Sequence, residues 1–159
     1  MNSDVRTVGR MRGFMLATGI ILLSTGAVPA ENSLDLGQYH GKVVLLDFWA
    51  SWCVPCRRSF PWMNEMQEKY GNSGLVIIGV NMDADADAAQ AFLDEYPAEF
   101  EIIYAPDGVM AKAFGVRAMP SSFVIGRDGE VVTRHLGFKV KKQTEYETDL
   151  VSALRTGAE

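Results

Sequence analysis

The chain is poor in the residues that staple or metallate small proteins. Its 159 residues include only two cysteines, Cys53 and Cys56, and two histidines, His40 and His135. A four-ligand zinc site would need all four, and their spacing fits no finger or ribbon, so no metal is expected. Basic charge is also scarce. The net charge is −5, and KVKK at 139–142 is the one basic cluster. A nucleic-acid or anionic-membrane partner normally leaves a basic stripe, so neither is expected. Repeats, low-complexity tracts and heptad runs are missing too, which points to one domain, working as a monomer. The longest apolar run, FMLATGIILLSTGAV at 14–28, is short of the roughly twenty residues that span a bilayer.

That run has a different use. Arg6, Arg10 and Arg12 precede it and Pro29-Ala30 follow it, which is the layout of a secretory signal peptide. Val28 and Ala30 would occupy the positions a signal peptidase reads. Residues 1–30 are therefore expected to be a cleaved signal and 31–159 the working domain, periplasmic after export. An uncleaved segment would instead anchor it to the inner membrane, facing the periplasm. Loss of three arginines and Asp4 would take the net charge from −5 to −7.

Beyond residue 40, strand and helix patterns alternate. VVLLDFWA at 43–50 is a nearly continuous apolar run, as in a strand buried on both faces, and LVIIGVNMD at 75–83 reads as a second buried strand. Phe60, Met63, Met66 and Tyr70 recur at helical spacing, as do Ala88, Phe92 and Tyr96. Asp83, Asp85 and Asp87 suit the positive start of the second helix. EIIYA at 101–105 reads as a short strand and 109–114 as one or two helical turns. SSFVIG and EVVTRHL are joined by Arg127-Asp128-Gly129, a hairpin signal. A last helix carries Tyr146, Leu150 and Leu154, with Thr144 and Glu147 as a possible capping box. The pattern predicts an α/β fold: a central mixed sheet flanked by helices on both faces.

Both cysteines fall in DFWASWCVPCRRSFP at 47–61. A structural disulfide suits an exported protein, but bridging so short a loop contributes little to stability. A dithiol couple fits better. The pair lies where a buried strand ends and a helix begins, so backbone N–H groups and the helix dipole favour a thiolate on the first sulfur.

WASWCVPC after VVLLDF, with Pro61 five residues past Cys56, resembles the thioredoxin superfamily. GVRAMPSSFVIGRDGEVV resembles that superfamily's cis-proline segment and terminal hairpin. The lead-in LDLGQYHGKVVLLDFWASWC, and a helix and strand inserted between about 83 and 105, are similar to the exported TlpA/ResA-like thiol:disulfide oxidoreductases, a group that includes cytochrome c maturation reductants. The resemblance implies a thioredoxin fold and a Cys53–Cys56 dithiol/disulfide cycle without other cofactor. The expected partners are disulfides of exported proteins and, for a reductase, a membrane thiol-transfer protein as electron donor.

Specific roles follow from the match. Cys53 is expected to be the exposed nucleophile and Cys56 the buried resolving thiol. Asp47 interrupts an apolar strand, where burial raises a carboxyl pKa, and is expected to take the Cys56 proton. Trp52, Met119 and Pro120 are expected to meet the substrate, with Met119-Pro120 cis and its backbone pairing with an extended segment. Trp49 would pack beneath the site. Pro55 suits a helix start and Pro61 would kink the helix. Ser59 departs from the group, whose members often carry glutamate there. A reductase is expected on the resemblance, with an oxidase or isomerase of the same fold as the alternative. A thiol peroxidase would need threonine where Ala50 stands. A non-redox binding or chaperone module using the Pro120 groove is the alternative from outside enzymology.

Overall fold

The computed structural model describes residues 34–156; the expected signal segment lies outside them. The five strands are β1 (Val43–Trp49), β2 (Leu75–Asn81), β3 (Glu101–Tyr104), β4 (Ser121–Ile125) and β5 (Val131–Leu136). They form one sheet in the order β3-β2-β1-β4-β5. β1, β2 and β3 are parallel, while β4 runs antiparallel to both β1 and β5. The helices are α1 (Cys56–Tyr70), α2 (Ala86–Glu95), α3 (Val109–Ala113) and α4 (Gln143–Arg155). This is the mixed, two-sided α/β sheet that strand–helix alternation predicts. The inserted pair is α2 and the edge strand β3.

β1 is the middle strand and is wholly buried, which explains an apolar run broken only by Asp47. Its side chains alternate between two cores. Val43, Leu45 and Trp49 join both cysteines, Phe60, Met63 and Met66 of α1, and Tyr146, Leu150 and Leu154 of α4. Val44, Leu46 and Phe48 join Met110 and the chain flanking α3, together with Leu34 and Leu36 of the lead-in. The first core also draws in α2. Trp49, Phe60 and Phe92 contact one another with ring centroids 4.8–5.0 Å apart. Such aromatic pairs contribute about 0.5–1.5 kcal/mol each beyond burial, so Phe92 fastens the inserted helix to the active-site helix. Gly79 makes room for that packing: a Cβ there would stand 2.9 Å from Ile102 and 3.1 Å from the Trp49 indole nitrogen.

Several local expectations need correction. The helix begins at Cys56 rather than at Cys53, with Pro55 as an N-cap that supplies no side-chain cap. Asp85, and not Asp83, caps α2, accepting from the Asp87 N–H. The hairpin turn is Arg127-Asp128-Gly129 as expected, closed by Gly126 N–H donating to the Glu130 carbonyl, with Gly129 at φ 86°. No capping box starts α4. Its N-cap is Lys142, without a side-chain cap, because Glu147 instead accepts from Lys69 and Tyr70 of α1.

Candidate active site

The carboxyl end of β1 delivers the chain into a tight turn that sets the cysteines. Cys53 N–H donates to the Ala50 carbonyl at 3.0 Å and Cys56 N–H to the Cys53 carbonyl at 3.1 Å. The two cysteines are joined as a disulfide. Cys56 N–H, the first amide of α1, also points at the Cys53 sulfur, 3.3 Å away. An amide at a helix start aimed at the first sulfur stabilises negative charge there when the bridge opens.

The expectation of an exposed Cys53 is corrected for this oxidised form: its residue exposure is 2 %, against 0 % for Cys56. The adjoining Trp52 and Val54 are the exposed groups, at 66 % and 54 %. Desolvation by a partner laid on those two side chains would be favourable, at about 25 cal/mol per Å² of apolar area. Pro55 precedes the helix and Pro61 lies inside it, where its missing N–H leaves a gap in the helical hydrogen-bond ladder. Ser59 is buried and its hydroxyl donates to the Cys56 carbonyl at 3.1 Å. Trp49 packs beneath the turn.

Asp47 has the parity of Val43, Leu45 and Trp49, so its side chain enters the core that holds the disulfide. It is 0 % exposed. Gly79 stands opposite it on β2 and Ser122 on β4, so neither neighbouring strand supplies a countercharge. Burial drives its carboxyl from 3.8 up to about 7, opposed in part by a hydrogen bond from Ser122. Such an acid is half ionised near neutrality, the range in which a general base works best.

The Met119–Pro120 peptide is cis. Pro120 is buried, and Met119 is half-buried against the core containing the cysteines. The Pro120 carbonyl accepts from Gly137 N–H at 2.8 Å, and β4 begins at the next residue. A shallow groove of about 300 Å³ runs beside the turn, lined by Ser51, Arg57, Phe92, Glu95 and Tyr96 among others. A larger concavity, about 390 Å³, lies around His40 and Arg127, before β1 begins. β1 is about 20 Å long at roughly 3.3 Å per residue, which separates that concavity from the cysteines. Chemistry, not size, locates the site.

The family model for redoxins matches residues 24–150, most of the chain. The chain belongs to the Redoxin family. It is 36% identical over 114 residues to the thiol-disulfide oxidoreductase ResA of Bacillus thuringiensis subsp. konkukian, covering 72% of this chain and 66% of that relative's length. The ResA of Halalkalibacterium halodurans is 32% identical over 120 residues, covering 76% of this chain and 68% of its own. Among solved structures, a candidate thiol:disulfide interchange protein DsbE from Chlorobium tepidum superposes with a TM-score of 0.73 at 46% identity, covering 75% of this chain and 84% of that one. The redoxin chain thus has the thioredoxin fold that its sequence resembles.

The structure adds two residues to the site, one that the sequence assigns to another role and one that it does not single out. Asp83, just past β2, receives the Ser51 N–H at 2.7 Å, the Ser51 hydroxyl at 2.9 Å and the Asn81 amide at 2.8 Å. Met82 N–H donates to the Trp49 carbonyl at 2.9 Å. The segment leading into Cys53 is thereby tied to the end of β2. Ser122 is the other addition. Local pattern misassigns Asp83 and does not mark Ser122, since Ser51 lies on a distant turn and Asp47 on a distant strand.

Proposed function

We propose that this redoxin is an exported thiol:disulfide oxidoreductase that reduces disulfides in other exported proteins. One observation carries the reading: a Cys53–Cys56 disulfide with the first amide of α1 aimed at the Cys53 sulfur. The names of the ResA relatives and the DsbE-like neighbour support the activity. In the reduced protein, the Cys53 thiolate attacks a substrate disulfide. A Cys53–substrate bond forms as the substrate S–S bond breaks, and one substrate thiolate leaves. Asp47 takes the proton of Cys56. The Cys56 thiolate then attacks the Cys53 sulfur, closing the intramolecular disulfide and expelling the second substrate thiolate. Two electrons have passed to the substrate, and the enzyme is left in the disulfide form described above.

Trp52, Met119 and Pro120 are assigned to substrate contact, and Pro55 and Pro61 shape the start of the helix. No cofactor beyond the cysteine pair enters the cycle. A membrane thiol-transfer protein supplies the returning electrons, and apocytochromes c are among the fitting substrates. Two measurements test the reading. Cys56→Ser should accumulate a mixed disulfide through Cys53, and Cys53→Ser should abolish reductase turnover. Full cellular function in Cys53→Ser would leave a binding module instead. The reduction potential decides direction. A value towards the roughly −120 mV of strong oxidants, with the pair oxidised in vivo, would make the protein an oxidase.

A further inference from the structure

We infer that Ser122 is a positioning residue for proton transfer: its hydroxyl holds Oδ1 of Asp47 and leaves Oδ2 as the atom that receives the Cys56 proton. This rests on the reading of Asp47 as the base. Ser122 and Asp47 are directly opposed across the β1–β4 ladder. The Ser122 hydroxyl donates to Oδ1 at 2.5 Å, while Oδ2 is buried with no hydrogen-bond partner among the described residues. A carboxylate with one oxygen held and one bare has a fixed orientation and one basic atom. A carboxylate free to turn would offer neither.

The position of Ser122 gives this contact a second consequence. It lies two residues beyond Pro120, at the second position of β4, so the strand that leads away from the substrate segment also holds the base. Ser122 is itself opposed to His135 on β5, whose Nε2 is 2.8 Å from Asp149 Oδ2 of α4. The other groups around Asp47 carry no charge to compete with the hydroxyl. β2 offers Gly79, α1 offers the bonded Cys56, and α4 brings Tyr146 and Leu150 to the same core. Arg57 and Arg58 of α1 are exposed, and the His135–Asp149 pair stands one strand further out. Among the described residues, the serine hydroxyl is the single hydrogen-bond donor to this acid's side chain.

The hydrogen bond favours the ionised carboxyl, so its removal raises the proton affinity of Asp47. Hydrogen bonds to charged groups correspond to about a tenfold or larger change in an equilibrium constant. The test titrates the ¹³C carboxyl signal of Asp47 in the oxidised full chain, assigned by its absence in Asp47→Asn. Ser122→Val and Ser122→Thr form an almost isosteric pair that differs in the hydroxyl, with Ser122→Ala beside them. The midpoint should move up by about one pH unit in the valine and alanine variants and stay near the parent's in threonine. An unmoved or lowered midpoint in valine and alanine would overturn the positioning role. Resolution of a preformed mixed disulfide, followed against pH, supplies the second arm, and its midpoint should rise in parallel. If Asp47→Asn leaves that profile untouched, the reading of Asp47 as base fails, whatever the titration shows for Ser122.

Discussion

Asp47 and Asp83 are both buried carboxylates beside the same active-site turn, and the molecule treats them in opposite ways. Asp47 sits in the middle of β1 with one hydrogen-bond donor and one bare oxygen. Asp83 sits past the end of β2 and accepts from three donors, two of them on Ser51. Burial with too few partners makes an acid hold its proton. Burial among several donors makes it a bracket. On the proposed cycle, one carboxylate moves a proton while the other holds the backbone that leads into Cys53.

The largest test of this contrast is Asp47→Asn. The native acid, at about 7, binds its proton more tightly than the unfolded acid at 3.8. Between those values the folded state holds the proton that the unfolded state has lost, so stability falls as pH rises through the window. A gap of this size corresponds to roughly 4 kcal/mol. Denaturant unfolding of the oxidised proteins should therefore show Asp47→Asn more stable than the parent by up to about 4 kcal/mol above neutrality, with the gain gone below about pH 4. Mixed-disulfide resolution should slow by about 10²-fold or more in the same variant, the usual contribution of a positioned base. A pH-independent difference in stability would remove the distinction between the two aspartates.

Asp83→Ala should act in the other direction and somewhat less strongly. It strands the Ser51 N–H and the Asn81 amide, at about 1–3 kcal/mol for each buried unsatisfied group. A loss of about 2–4 kcal/mol is expected in denaturant unfolding, with faster amide exchange at Ser51 and Cys53 than in the parent. Unchanged exchange at those two amides would mean that the turn holds itself without Asp83.

What could be read in the sequence, and what could not, divides along the same line. β1 and β2 are legible because burial on both faces writes a nearly continuous apolar run, and α1 because Phe60, Met63 and Met66 repeat at helical spacing. Asp47 is legible as an acid out of place in such a run. Asp83 reads wrongly as a helix starter because two further aspartates follow it, and its partner Ser51 is 32 residues away. Ser122 is silent for the same reason, being 75 residues from Asp47. The burial of Cys53 is not legible either, since it depends on how the turn closes in the disulfide form. Local pattern shows what a side chain could do; which polar pairs meet is decided by strand order and register.

The smallest effect belongs to a third carboxylate that the sequence also misassigns. Glu147 of α4 accepts from Lys69 Nζ and from Tyr70 at 2.6 Å, both on α1, and so joins two helices on one face of the sheet. The Lys69 hydrogen bond leads in lowering its pKa, with Tyr70 adding to the shift. A lowered native value means that this contribution is present above the unfolded carboxyl range and is lost as pH falls through the native one. The Lys69 side chain is 52 % exposed and that of Glu147 27 %, so water and salt screen the pair. Glu147→Gln should lower the melting temperature by no more than a few degrees near neutrality, and by less in high salt. It should leave the pH midpoint of disulfide resolution where it was. A large, salt-independent loss would show that the α1–α4 tie bears on the redox helix as strongly as Asp83 does. Three carboxylates would then have to be ranked by partner number alone, with exposure no longer separating them.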